Sequence, residues 1–150
     1  MLQGRPVAVL GGVRIPFCRQ NTAYSDVGNL GMSVRTLGAL VEKFGLHGQQ
    51  LGEVAMGAVI KHSSEWNLGR EATLSSGLSA LTPGITLQRA CGTSLDSIVT
   101  IGNKKRRLGK IVFGRYGLHQ CIIGKRIRRN DGGRISGKPT CGECIDLKYR

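Results

Sequence analysis

Five cysteines carry most of the chemical potential of this 150-residue sequence: Cys18, Cys91, Cys121, Cys141 and Cys144. A thiolate is both a nucleophile and a metal ligand. Cys91 stands out by its place. Ile85-Thr-Leu-Gln before it reads as a short strand, and Leu95, Ile98 and Val99 after it read as one face of a helix. A cysteine where a strand ends and a helix begins lies against the unpaired N–H groups of the helix's first turn. Those groups favour negative charge, and so the nucleophilic thiolate. Gly92 would let a substrate carbonyl approach the backbone, and Thr93 and Ser94 add small polar neighbours. A strand-to-helix turn of this kind serves as a nucleophile elbow in other acyl-transfer enzymes. On spacing alone the competing reading leads, since a lone cysteine is more often a small buried residue. Cys18 reads as a partly buried structural thiol in the loop after the first strand. His47 and His62 read as solvated loop histidines.

The elements that must position Cys91 alternate in type. Arg5-Pro-Val-Ala-Val-Leu is a short apolar run ended by Gly11-Gly12, and predicts a buried first strand. Pro16 disfavours helix at Ile15 and opens a loop. Ser25 and Asp26 are N-cap candidates for a helix whose face is Leu30, Val34, Leu37, Val41 and Phe44, with Gly45 as its stop. Glu53 to Ile60 is apolar on both faces, which suits a strand buried between layers. In residues 1–102 alone, the Val54 to Ile60 strand is expected to keep one uncovered face. Asn67 caps a helix over about 68–78, and Pro83-Gly84 turns into the strand before Cys91. The order β, α, β, α, β, α predicts an α/β layered fold.

Composition supports such a domain and excludes other classes. Aliphatic, aromatic and Cys residues make up 40% and charged residues 21%, enough for a folded core. The 23 glycines have no triplet period, so a collagen-like chain is excluded. No stretch of about 18 apolar residues is present, so no membrane partner is expected. With no leader-like start and an odd cysteine count, a cytoplasmic location is expected.

Several motifs in order resemble a known family. Asn67-Leu-Gly-Arg-Glu-Ala is similar to an "N-x-x-R-x-A" helix. Thr82-Pro-Gly-Ile-Thr then leads to Arg89-Ala-Cys-Gly-Thr-Ser, a Cys at the head of a buried helix. Arg14-Ile-Pro-Phe is similar to an opening "R-V-P-F", and Val54 to Ile60 to a "V-x-x-G-x-V" strand. Together these resemble the N-terminal part of a thiolase over about residues 5–104, leaning towards the 3-ketoacyl-CoA branch. The resemblance implies a partial thiolase-like α/β/α domain. It also implies acyl exchange in which Cys91 attacks the 3-keto carbon of a 3-ketoacyl-CoA. Acetyl-CoA leaves, and free CoA takes the acyl group from the enzyme. Coenzyme A and acyl-CoA are then substrates, with no permanently bound cofactor and no metal, and a homo-oligomer is expected. The family's "N-E-A-F", "G-H-P" and "C-x-G" motifs, which supply the activating His, the acid/base Cys and oxyanion donors, do not occur in these 150 residues. The chain by itself is therefore expected to be inactive. Cys141-Gly-Glu-Cys144 does not match, and Cys144 is not carried over to the acid/base role.

The formal charge of +13 is unevenly placed. Residues 1–102 hold eight Lys/Arg and six Asp/Glu, whereas 103–150 hold fourteen and three. The resemblance fades at about Lys104, so residues 1–104 read as the thiolase-like part and 105–150 as an irregular, unmatched basic tail. Three readings of the tail stand in order. The first is translation in a shifted frame, giving a truncated thiolase. The second is a basic arm binding nucleic-acid phosphates, which would make the chain a small nucleic-acid-binding protein. The third is a Zn²⁺ site of Cys121, Cys141, Cys144 and His119. Under the leading reading, nucleic acid is not an expected partner.

Overall fold

The computed structural model describes residues 7–19, 21–108, 112–115 and 120–126. The elements follow the chain as β1 (Val7–Arg14), α1 (Asn29–Lys43), β2 (Glu53–Gly57), α2 (Leu68–Leu74), β3 (Gly84–Leu87), α3 (Thr93–Leu108), β4 (Val112–Arg115) and β5 (Gln120–Arg126). The strands form one mixed sheet in the order β1-β5-β4-β2-β3. β2 runs parallel to both β3 and β4, while β5 is antiparallel to β4 and β1. Val54 and Met56 of β2 join Leu37, Leu40 and Val41 of α1 and Ala72 of α2 in the main core. Ala55 points the other way and meets Ile101 of α3, with Ile85 and Leu87 packed beside them. This alternation puts α1 and α2 on one face and α3 on the other, the expected α/β/α layering.

Both faces of β2 are therefore covered. Val54, Ala55 and Met56 are at most 1% exposed. The expectation of an uncovered strand face fails there, because α1 and the part of α3 that carries Ile101 lie within residues 1–102 and close over the two faces. β2 ends at Gly57, and only the following Val59 and Ile60 are exposed.

α1 begins at Asn29 with Gly28 as its N-cap, and Ser25 and Asp26 stay in the preceding turn. No side chain of its own segment caps it. The buried Glu65 carboxylate does so from 35 residues away, accepting from the Leu30 N–H at 3.0 Å. It also accepts from Asn29 Nδ2 and the His62 N–H, at 3.3 and 3.2 Å. A negative charge at a helix N-terminus is favoured by the orphan N–H groups and the helix dipole. The expected outcome for Glu65→Ala is a loss of about 1–3 kcal/mol, since three donors lose their acceptor in a buried place. Urea denaturation of the two chains measures it.

The buried face of α1 is Ser33, Thr36, Leu37, Leu40 and Val41. Leu30, Val34 and Phe44 of the predicted stripe pack at its margin. Thr36 sits in the core because its hydroxyl donates to the Met32 carbonyl at 2.6 Å. Gly45, at φ +60°, ends the helix as expected.

β1 continues through Gly11-Gly12 to Arg14, longer than its apolar run. The stretch after Lys104 holds more regular structure than its pattern indicated. α3 extends through Lys104 to Leu108, and β4 and β5 enter the middle of the sheet. Lys and Arg are good helix formers. The half-exposed Lys104 Nζ also pairs with the largely buried Glu53 carboxylate at 2.7 Å, tying α3 to the start of β2. The tail from 127 to 150, with Cys141 and Cys144, lies outside the described residues, as does His119, so the zinc reading does too. Among the described residues no cluster suited to a metal is present. No described helix is long and apolar enough to cross a membrane.

Candidate active site at the head of α3

Cys91 is exposed and lies between β3 and α3, two residues before the helix's first residue. The site depends first on how β3 is seated. Asn67 caps α2, its Oδ1 accepting from the Arg70 N–H at 3.1 Å. The same oxygen accepts from the Thr86 hydroxyl of β3 at 2.7 Å, and Thr86 Oγ1 accepts from the Gly69 N–H at 2.9 Å. The Arg70 guanidinium donates to the Thr82 and Ala80 carbonyls at 2.8 and 2.9 Å. The Asn and Arg of the "N-x-x-R-x-A" motif thus fasten the loop that enters β3 and β3 itself. The Ala, Ala72, is fully buried in the core. Gly69 and Gly84 let α2 lie directly against the backbone of β3, with no room for a Cβ at either position.

After β3 the chain makes a sharp turn. Ala90 holds φ +41°, a left-handed conformation uncommon for a residue with a side chain. The Gly92 N–H donates to the Arg89 carbonyl at 2.9 Å, and the Thr93 N–H to the Ala90 carbonyl at 3.2 Å. The Gly92 carbonyl then accepts the helical bond from the Asp96 N–H at 3.0 Å. Cys91 sits at the apex of this turn, next to the helix N-terminus. Asp96 in the first turn, half-buried, meets the exposed Arg89 at 3.5 Å.

The face that α3 turns to the sheet differs from the predicted one. Thr93, Ser97 and Ile101 are buried, whereas Leu95 and Val99 are 61% and 50% exposed. Of the predicted apolar face, Leu95 and Val99 lie outside and only Ile98 is half-buried. The inner face uses small polar residues whose hydroxyls bond back to the backbone, as Ser97 does to the Thr93 carbonyl at 2.9 Å.

Cys18 is half-buried, as expected, but its surroundings are polar. Its sulfur lies 2.8 Å from the Thr22 hydroxyl. That hydroxyl chiefly holds the thiol below its ordinary range, with slight burial opposing it and the Ala23, Tyr24 and Arg19 backbone adding to it. Removing the hydroxyl in Thr22→Val should raise the Cys18 pKa. Its alkylation profile should then move to higher pH and its rate near pH 7 should fall, because the thiolate fraction falls. Peptide-resolved iodoacetamide labelling across pH checks this. His62 is exposed, with Nδ1 2.8 Å from Ser64 Oγ, and His47 is exposed beside Gly77. Both fit the loop-histidine reading.

A mixed sheet between helical layers, with a thiol presented at a strand-to-helix turn, defines an α/β/α protein with a candidate nucleophile elbow. The family described as "Thiolase, N-terminal domain" matches residues 7–109, and the chain belongs to the thiolase family. It is 32% identical over 99 residues to a 3-ketoacyl-CoA thiolase of Photorhabdus laumondii, covering 66% of this chain and 23% of that protein. It is 30% identical over 99 residues to a 3-ketoacyl-CoA thiolase of Aliivibrio fischeri, covering 66% of this chain and 22% of that protein. The crystal structure of the Bacillus anthracis acetyl-CoA acetyltransferase superposes with a TM-score of 0.69 at 24% identity, covering 76% of this chain and 29% of that one. The chain thus spans about a quarter of the length of these relatives, and the structural likeness is one of fold.

Proposed function

We propose that the chain supplies the acyl-accepting part of a thiolase-type acyltransferase, with Cys91 as the nucleophile. The observation that carries this reading is an exposed Cys91 at the head of the 16-residue α3, in a chain whose residues 7–109 belong to the thiolase family. The Cys91 thiolate would attack the 3-keto carbon of a 3-ketoacyl-CoA. The C2–C3 bond breaks, and its electron pair leaves with the acetyl-CoA carbanion, which takes up a proton. The acyl group stays on sulfur as a thioester until a CoA thiol removes it. Acetyl-CoA can load the same sulfur, with CoA thiolate as leaving group. The substrates on this reading are acyl-CoA thioesters, and the partner is a second copy of the chain, with β3, an edge strand of the described sheet, as the place for it to pair.

Mixing the purified chain with excess acetyl-CoA tests the reading. The expected result is a burst of free CoA approaching one equivalent per chain, absent in Cys91→Ala. Equal bursts from both chains would contradict it.

A further inference from the structure

We infer that Thr93 is the positioning residue of the Cys91 turn, held in place by the missing side chain at Gly57; this rests on the reading of Cys91 as the nucleophile. Four observations meet at Thr93. Its hydroxyl accepts from the Arg89 N–H at 2.7 Å and donates to the Ala90 carbonyl at 2.8 Å. With one oxygen it therefore ties the two residues before Cys91 to the first residue of the helix after it. One residue those bonds hold, Ala90, has φ +41°, a left-handed conformation that is strained for a residue with a Cβ. Thr93 is buried at 5% exposure although it opens a helix next to an exposed cysteine. Its methyl group fills the space over Gly57, where a Cβ would overlap both that methyl and the Leu87 carbonyl. The end of β2 thus seats the methyl, and the hydroxyl holds the turn on which the exposed Cys91 stands. Without the hydroxyl, Ala90 would relax to an ordinary backbone conformation. Cys91 would then turn away from the helix N-terminus.

Peptide-resolved alkylation of the full chain with iodoacetamide tests this, reading Cys91 against Cys18 in the same molecule. Thr93→Val keeps the shape and removes the hydroxyl. The Cys91-to-Cys18 ratio should fall on the order of tenfold, since small misplacements of a reacting group are costly. Thr93→Ser keeps the hydroxyl and should stay within about twofold of the starting ratio. Adding Ala90→Gly to Thr93→Val should recover several-fold of the loss, because glycine adopts the left-handed conformation freely. A packing role alone would give no such recovery. An unchanged ratio in Thr93→Val, a fall in Thr93→Ser matching that of Thr93→Val, or no recovery in the double variant would overturn the inference. Failure of the nucleophile reading looks different: the unsubstituted chain then gives no CoA burst with acetyl-CoA, whatever the alkylation ratios do.

Discussion

Purified away from host thiolases, the chain is expected to leave acetoacetyl-CoA uncleaved in the presence of free CoA, even though Cys91 can be acylated. Thioester capture needs a thiolate and an accessible carbonyl. Carbon–carbon cleavage also needs a base, an acid for the departing carbanion and donors at two developing oxyanions. The motifs through which the family provides them do not occur in these 150 residues. General acid–base groups contribute about 10²–10⁴-fold, and one lost oxyanion donor costs about 10²–10³-fold. The losses need not multiply, because catalytic groups act as a unit. With the base, the acid and the oxyanion donors all missing, turnover falls below the reach of an ordinary spectrophotometric assay. Turnover that disappears in Cys91→Ala would overturn this expectation, and would mean that residues read here as structural take the acid and base roles.

The second large effect concerns stability. Gly69→Ala should destabilise the chain by about 3 kcal/mol, the upper part of the usual cost of overpacking. A Cβ at Gly69 would reach the backbone of β3, only 2.7 Å from the Ile85 carbonyl carbon, and backbone cannot turn aside as a side chain can. The shift would also strain the Thr86 bonds to Gly69 and Asn67 and so disturb β3 ahead of Cys91. Gly38→Ala provides the contrast. It lies within α1 with no atom near its would-be Cβ, and helix propensity predicts a gain of about 1 kcal/mol. Urea titrations of both variants check the opposite signs.

Much of this architecture was legible in the sequence because its signals are local. The α1 stripe, the Gly45 stop and the Asn67 cap each depend on neighbours a few residues away. Their placement agrees with the structure. What escaped depends on contacts between distant residues. The α1 cap is Glu65, which sequence proximity could not connect to Leu30. The buried face of α3 escaped because Thr93 and Ser97 do not look like core residues until their hydroxyls are seen to bond the backbone. β4 and β5 escaped because Val112-Phe and Cys121-Ile-Ile are too short to reveal a period. At the candidate site, the position of Cys91 between strand and helix followed from the pattern around it. The left-handed Ala90 and the polar surroundings of Cys18 carried no such pattern. An Arg89-Ala-Cys-Gly-Thr run is ordinary in composition, and the Cys18 environment is made by a turn closing back on itself.

Cys91 and Cys18 make the central claim directly measurable. Cys91 stands at a helix N-terminus, and Cys18 has a thiolate favoured by Thr22, so reactivity alone does not separate an acyl acceptor from a merely acidic thiol. The decisive measurement is peptide mapping by mass spectrometry after brief exposure of the full chain to acetyl-CoA, with hydroxylamine treatment to confirm a thioester. The account predicts one hydroxylamine-labile acetyl group, carried by the peptide containing Cys91. Acetyl found on Cys18, or spread evenly over the cysteines, would contradict it.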